Sequence, residues 1–254
     1  MPLDRRSFVT LGSLSLSAPV VDAALGSPAP VRSIKAVAFD AFAIFDPRPI
    51  FQSCEAAFPG RGSELANTWR VRQFEYQWLR ALTGMYANFW DVTAQALEFA
   101  ARSMNLDLSP RQRDELMHGY LTLRAWPDVA NALSALQRSG TQLAILSNAT
   151  EQILHAGLSN SGLLGAFKHV ISTDRIRTFK PDPRAYRLGM QLMGLHTREI
   201  LFVAFAGWDV AGAGWFGYPT FWNNRQNAAA EELNVRSDGT GTTLSELVSF
   251  LHAA

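Results

Sequence analysis

From Lys35 the chain reads KAVAFDAFAIFD: four consecutive apolar residues, Ala36 to Phe39, and then the lone carboxylate of Asp40. An unbroken apolar run of this length predicts a strand buried on both faces. Similar runs recur in the second half of the chain, at TQLAILSN (141–148), HVIST (169–173), ILFVAFA (200–206) and YPTFWNN (218–224). Segments with apolar residues at helical spacing separate them, such as VANALSALQRSG, which closes on Gly140. Continuous apolar strands alternating with helices predict an α/β fold, a parallel sheet with helices on both faces. Ligands of such sheets bind beyond the carboxyl ends of the strands. Asp40, Ser147 and the segment 204–209 all fall at predicted strand ends, so the fold would gather them at one place.

A different pattern runs from Pro47 to about Arg124. GSELANTWRVRQFEYQWLRALTGM and FWDVTAQALEFAARSMNL carry apolar residues at helical spacing and no strand signal. Ser109 and Pro110 restart a helix, the first as its N-cap and the second in its first turn. These segments predict a helical cap (47–124) inserted after the first strand, above the carboxyl edge of a core formed by 31–46 and 125–254.

Composition narrows the function classes. The chain of 254 residues is 48% hydrophobic with a formal net charge of +1, a balance that fits a globular core and gives no electrostatic support for a nucleic-acid partner. The single cysteine, Cys54, has no intrachain disulfide partner and reads as a small buried apolar residue. The N-terminus, DRRSFVTLGSLSLSAPVVDAALG, pairs Arg5 with Arg6 ahead of a weakly apolar, Ser-rich stretch and small residues near Ala23. It resembles a twin-arginine export signal, so residues 1–30 are expected to be signal and linker and the mature protein periplasmic; the alternative is a tail with an accidental arginine pair. The stretch is too short to span a bilayer, and no stable membrane association is expected after export.

Candidate chemistry lies at the strand ends. Asp40, then Ser147-Asn148 in LSNAT, then Lys180 in FKPDPRAY and Asp209 in GWD form the four-motif layout of the haloacid-dehalogenase superfamily. The stretches AFPGRGSELANTWRVRQFEYQWLRAL, LAILSN, FKPDPRAY, ILFV and WDVAGAGWFGYPTFWNNR resemble the type II (S)-2-haloacid dehalogenases over nearly the whole mature chain. That resemblance implies a Rossmann-like core with a helical cap, an aspartate nucleophile, a small-molecule substrate, no metal or other cofactor, and a possible homodimer. It also implies roles for residues: Asp40 attacks the halogen-bearing carbon, Lys180 keeps Asp40 ionised, and Asp209 orients Lys180 or activates water. Ser147 and the Asn148 amide match the binding position for the substrate carboxylate; a helix N-cap at the start of NATEQILHAGL is the plainer alternative. Arg70 matches the arginine that receives halide, Phe42, Phe89 and Trp208 match pocket walls, and Tyr186 is expected to support Lys180 or Arg70.

Chemistry separately favours carbon over phosphorus. Phosphatases of the superfamily place a second aspartate two residues after the nucleophile to protonate the leaving alkoxide; here that place is Phe42, and halide needs no proton to leave. A hard cation such as Mg²⁺ wants several oxygen ligands, yet Phe205 stands where a fourth-motif carboxylate would be expected. The five histidines show no ligand spacing.

The chain departs from the family at two motifs. The first motif, usually close to F-D-[AL]-Y-G-T-L-F-D, reads F-D-A-F-A-I-F-D, one residue shorter and without the tyrosine and threonine hydroxyls. In the fourth motif Ala204 and Ala206 stand where the family has Ser and Asn. A hydrogen bond to a buried charged group is typically worth about 1.5–3 kcal/mol, so alkylation of Asp40 could persist while ester hydrolysis slows. Three readings follow: a hydrolase of an organic halide with an altered pocket, a catalytically weak protein that binds small carboxylates, and, disfavoured by Phe42, a phosphatase.

Overall fold

The computed structural model describes residues 34–253. The expected export signal and linker lie outside them, as does the expectation of a periplasmic location that depends on that signal. Six strands form one sheet: β1 (Ala36–Phe39), β2 (Gln142–Ser147), β3 (His169–Ser172), β4 (Ile200–Ala204), β5 (Thr220–Asn223) and β6 (Gly239–Gly241). All neighbours pair in parallel, in the order β3-β2-β1-β4-β5-β6. The five predicted strands are all present. The sixth, Gly-Thr-Gly, has no apolar run by which a sequence reading could find it.

Side chains alternate across each strand, as the pleat requires. Val37, Phe39, Leu143, Ile145, Leu201 and Val203 enter one buried cluster, while Ala36, Ala38, Ala144, Leu146, Phe202 and Ala204 enter the other. The first cluster is covered by α6 (Val129–Arg138), α7 (Glu151–Asn160) and α10 (Leu244–Ala253), the second by α8 (Pro183–Met193) and α9 (Gly207–Phe216). Ser139 is the C-cap of α6, and Gly140 follows with φ +79°, a left-handed conformation that glycine adopts without steric cost. The sheet is thus an α/β core of the doubly wound type. The strand order reverses at β1, whose neighbours are β2 and β4, and such a switch point opens a crevice at the carboxyl ends.

Between β1 and α6 the chain is helical: α1 (Ala41–Ile44), α2 (Arg48–Ala57), α3 (Gly62–Thr83), α4 (Phe89–Ser103) and α5 (Pro110–His118), with a 3₁₀ turn at Gly119–Leu121. Ser109 and Gln112 form a reciprocal capping box at the start of α5, as the Ser-Pro pattern predicts. The two chain passages linking these helices to the sheet are laced together. Phe45 bridges Ala125, the Asp46 N–H donates to Arg124 O at 2.9 Å, and the Trp126 N–H donates to Ile44 O at 2.9 Å. Cys54 is fully buried on α2, and burial pushes its thiol up to about 12, so it is packed and unreactive.

Candidate active site

Asp40 leaves β1 at its carboxyl end and serves as N-cap of α1. Its Oδ2 accepts the Phe42 N–H at 3.0 Å, and its own N–H donates to Val203 O at 2.9 Å. The turn-capping role open to any strand-terminal aspartate is therefore real here, but it occupies only one carboxylate oxygen. The other, Oδ1, accepts from Lys180 Nζ at 2.8 Å. Lys180 precedes α8 and is 1% exposed along its side chain, against 14% for Asp40. The same ammonium donates to Asp209 Oδ2 at 2.5 Å. One cation thus joins two carboxylates brought from the ends of β1 and β4.

Burial sets the character of this triad. It works against the Lys180 ammonium, yet the charges of Asp209 and Asp40 outweigh it and hold the lysine pKa above its ordinary value. For Asp209 burial wins. Despite the attraction of Lys180, and with Asp40 adding repulsion, its carboxyl is raised to about 6. Tyr186, expected to support Lys180 or Arg70, does neither directly. Its hydroxyl donates to Asp209 Oδ1 at 2.7 Å. Tyr186 is the fourth residue of α8, and its hydroxyl reaches Asp209 in the first turn of α9. Burial, with the Asp209 charge beside it, raises the phenol well above its usual range and keeps it a donor.

A narrow cavity opens above Asp40, and Lys180, Asp209, Phe42, Arg70, Phe89, Ser147, Asn148 and Trp208 all line it. Every site residue expected from the sequence is gathered there except Tyr186, which stands behind it. The three arginines of α3 separate: only Arg70 reaches the cavity, Arg72 pairs with Glu75 at 2.8 Å, and Arg80 donates to Gln95 at 2.8 Å. Arg70 lies over the Phe74 ring at 5.7 Å and donates to Gln226 at 3.4 Å. Burial lowers its pKa, but a guanidinium stays charged at neutral pH.

Ser147 and Asn148 do not cap the following helix. Thr150 does, its side chain accepting from the Ile153 N–H. Ser147 Oγ instead accepts the Ala149 N–H at 3.1 Å, which leaves its hydroxyl hydrogen available to a ligand. Asn148 Oδ1 accepts the Lys180 N–H at 2.8 Å, which ties the β2 end to the lysine loop.

Sequence reading missed the amides on α3. Gln73, Phe74 and Gln77 line the cavity together with Arg70. Their i, i+3, i+4, i+7 spacing from an assigned arginine was the available signal. The apolar departures are also resolved. Phe42 and Phe205 both line the cavity and pack against each other, ring centres 6.1 Å apart. Ala204 is fully buried in the core, and Ala206 is the N-cap of α9 with no side chain able to cap it. Among the described residues, no three His, Cys, Asp or Glu side chains are grouped to hold a metal ion. The space between Asp40 and Asp209 is taken by the Lys180 ammonium.

The family model for haloacid dehalogenase-like hydrolases matches residues 18–217. The (S)-2-haloacid dehalogenase of Pseudomonas sp. (strain YL) is 41% identical over 222 residues, spanning 87% of this chain and 96% of its own. A solved L-2-haloacid dehalogenase, 39% identical, superposes with a TM-score of 0.84 over 87% of this chain and 99% of its own. The L-2-haloacid dehalogenase of Xanthobacter autotrophicus, solved with chloropropionic acid covalently bound, is 33% identical, with a TM-score of 0.78 over 86% of this chain and 98% of its own. Sequence and fold agree, and the chain belongs to the haloacid dehalogenase-like hydrolases.

Proposed function

We propose that this protein hydrolyses the carbon–halogen bond of a small 2-haloacid through an ester on Asp40. The observation that carries the reading is the Asp40–Lys180–Asp209 triad beneath an apolar cavity, with Phe42 two residues beyond the nucleophile. Asp40 is the least buried of the three and faces the cavity. Its carboxylate displaces halide from the second carbon, and the halide departs toward the Arg70 guanidinium. Because the leaving group needs no proton, an apolar residue at Phe42 is no handicap. Lys180 holds the nucleophile in place and neutralises part of the paired negative charge.

The ester carbonyl is then attacked by water. Asp209 accepts a proton from that water, the hydroxy-acid oxygen leaves and is reprotonated, and the second water proton is released when Asp40 ionises again. The product carries inverted configuration, and the water oxygen remains in Asp40. Single turnover in heavy-oxygen water followed by peptide mass analysis tests this directly. Label in the Asp40 carboxylate is expected; label in the product alone refutes the ester.

A second reading is favoured by one observation: Ala204 and Ala206 offer no side-chain donor or acceptor near the triad. A catalytically weak carboxylate-binding protein would bind 2-chloropropionate and release no halide. Halide release by the wild type, lost in Asp40→Asn, decides between the two.

A further inference from the structure

The two cavity-lining amides of α3 are held differently. Gln73 Nε2 is committed to Thr93 Oγ1 at 2.6 Å and to the Tyr120 hydroxyl at 3.2 Å. Gln77, fully buried, takes its orientation from a relay that begins at the main chain. The Lys180 N–H donates to Asn148 Oδ1 at 2.8 Å, joined by the Thr173 hydroxyl at 3.3 Å. A backbone N–H cannot reverse its polarity, so Asn148 must turn its NH₂ to the other side. There Nδ2 donates to Gln77 Oε1 at 2.8 Å. Exchanging the two ends of the Gln77 amide would set NH₂ against NH₂. Gln77 Nε2 is therefore directed away from Asn148, and it has no hydrogen-bond partner. Buried side-chain donors without an acceptor are uncommon in folded proteins, and this one belongs to a residue of the cavity wall.

We propose that Gln77 is a substrate-binding residue, its Nε2 donating to a carboxylate oxygen of the bound 2-haloacid. The proposal rests on the reading of the cavity as a 2-haloacid site. The free group is a pure donor, so the ligand must bring an acceptor, and an ionised one gives the stronger bond. Position selects the carboxylate over the halide. Arg70, which takes the halide, lies seven residues earlier on α3, about 10 Å along the axis. Gln77 sits instead against the side chain of Asn148, the residue after Ser147, and Gln77 and Ser147 both line the cavity. Gln77 and Ser147 then grip the carboxylate from the helical layer and from the sheet, and orient the second carbon over Asp40.

Two variants separate this role from mere support of Asn148. Gln77→Glu keeps an oxygen for Asn148 Nδ2 and replaces the donor by an acceptor; Gln77→Met removes both at similar length. Binding of propionate, the same carboxylate without a halogen, is measured by calorimetry at pH 8 on the full chain, alongside halide release from 2-chloropropionate. The expected result is a loss of propionate affinity of about tenfold or more in both variants, with KM rising in parallel and kcat changing less. Wild-type affinity in Gln77→Glu overturns the proposal, as does failure of the wild type to bind propionate. Should Gln77→Glu not fold, Gln77→Met decides through its KM-against-kcat split, and a fall in kcat at unchanged KM overturns it. A wild type that releases no halide, but whose propionate binding weakens in Gln77→Glu, sinks the hydrolase reading and leaves the carboxylate contact standing. Normal halide release with unaltered propionate binding does the reverse.

Discussion

Asp209 and Asp40 are both carboxylates on one ammonium, yet their surroundings divide their work. Asp209 is sealed between Lys180 and Tyr186 and raised to about 6, chiefly by burial. A carboxyl acting as a base must be ionised, so the sign is fixed: hydrolysis of the Asp40 ester is expected to slow as pH falls through about 6 and to level off above it. Halide release in the first turnover does not need that base and should persist at pH 5. Rapid-quench measurement of halide and hydroxy acid from one sample checks this, with a halide burst unmatched by product at low pH. If both steps fall together, Asp209 is not the base. In Asp209→Asn the burst should remain while product formation drops by roughly 10²–10⁴-fold. The triad itself was legible in the sequence, because motif order and strand ends place all three groups. Tyr186 supports Lys180 only through Asp209, a link that a one-dimensional reading cannot resolve because it gives no direction to the ring. Gln77, a glutamine on a long charged helix between Tyr76 and Trp78, looks solvated in the sequence unless its spacing from Arg70 is weighed.

The elements explain how such departures are tolerated. α9 begins at Gly207 behind an N-cap alanine, so its first N–H groups lack the side-chain acceptor that Ser, Thr, Asp or Asn would supply. Asp209 in the first turn partly compensates through its negative charge near the helix N-terminus. Ala206→Asn is therefore expected to stabilise the protein by about 0.5–2 kcal/mol, read from the urea midpoint at unchanged slope. Ala206 lines the cavity, so the same substitution places an amide near the triad and should speed the second chemical step. Gain in stability without gain in product formation would show that the family asparagine matters here only as a cap. Strand ends are readable to within two residues, since the apolar runs give way to polar or helix-forming residues close to where the sheet pairing ends. Helix caps are readable where the chemistry is local, as at Ser109; at Ser147-Asn148 the alternative of a cap fails, since the cap, Thr150, lies two residues beyond Asn148. β6 was invisible because its place is set by pairing with β5 rather than by its own side chains.

At the scale of the molecule, catalysis depends on holding the helical layer over the sheet. Among the polar contacts that cross that boundary are Asn148 to Gln77 at 2.8 Å, Arg70 to Gln226 at 3.4 Å, and the Tyr86 hydroxyl to Asp174 Oδ1 at 2.5 Å. The first two line or border the cavity and will feel the substrate. The third does not, which makes it the cleaner probe. Tyr86 lies in the loop between α3 and α4, its ring 5.3 Å from Phe179 and the Arg177 guanidinium 5.3 Å from its centre. Burial, then the bond to Asp174, raises its phenol far above the usual range, so it remains a donor at any working pH. Tyr86→Phe keeps the ring contacts and deletes only the bond to the carboxylate, a loss of about 1.5–3 kcal/mol for a charge-assisted pair. Because that pair joins the helical layer to the segment before Lys180, the loss should appear as easier opening. Backbone hydrogen exchange over residues 62–103 is expected to quicken, and KM for 2-chloropropionate to rise, with kcat little changed. Had the contact no part in closure, exchange would quicken only around residue 86 and KM would stay put. A fall in kcat with unchanged exchange would instead mean that Asp174 acts on Lys180 through the intervening loop.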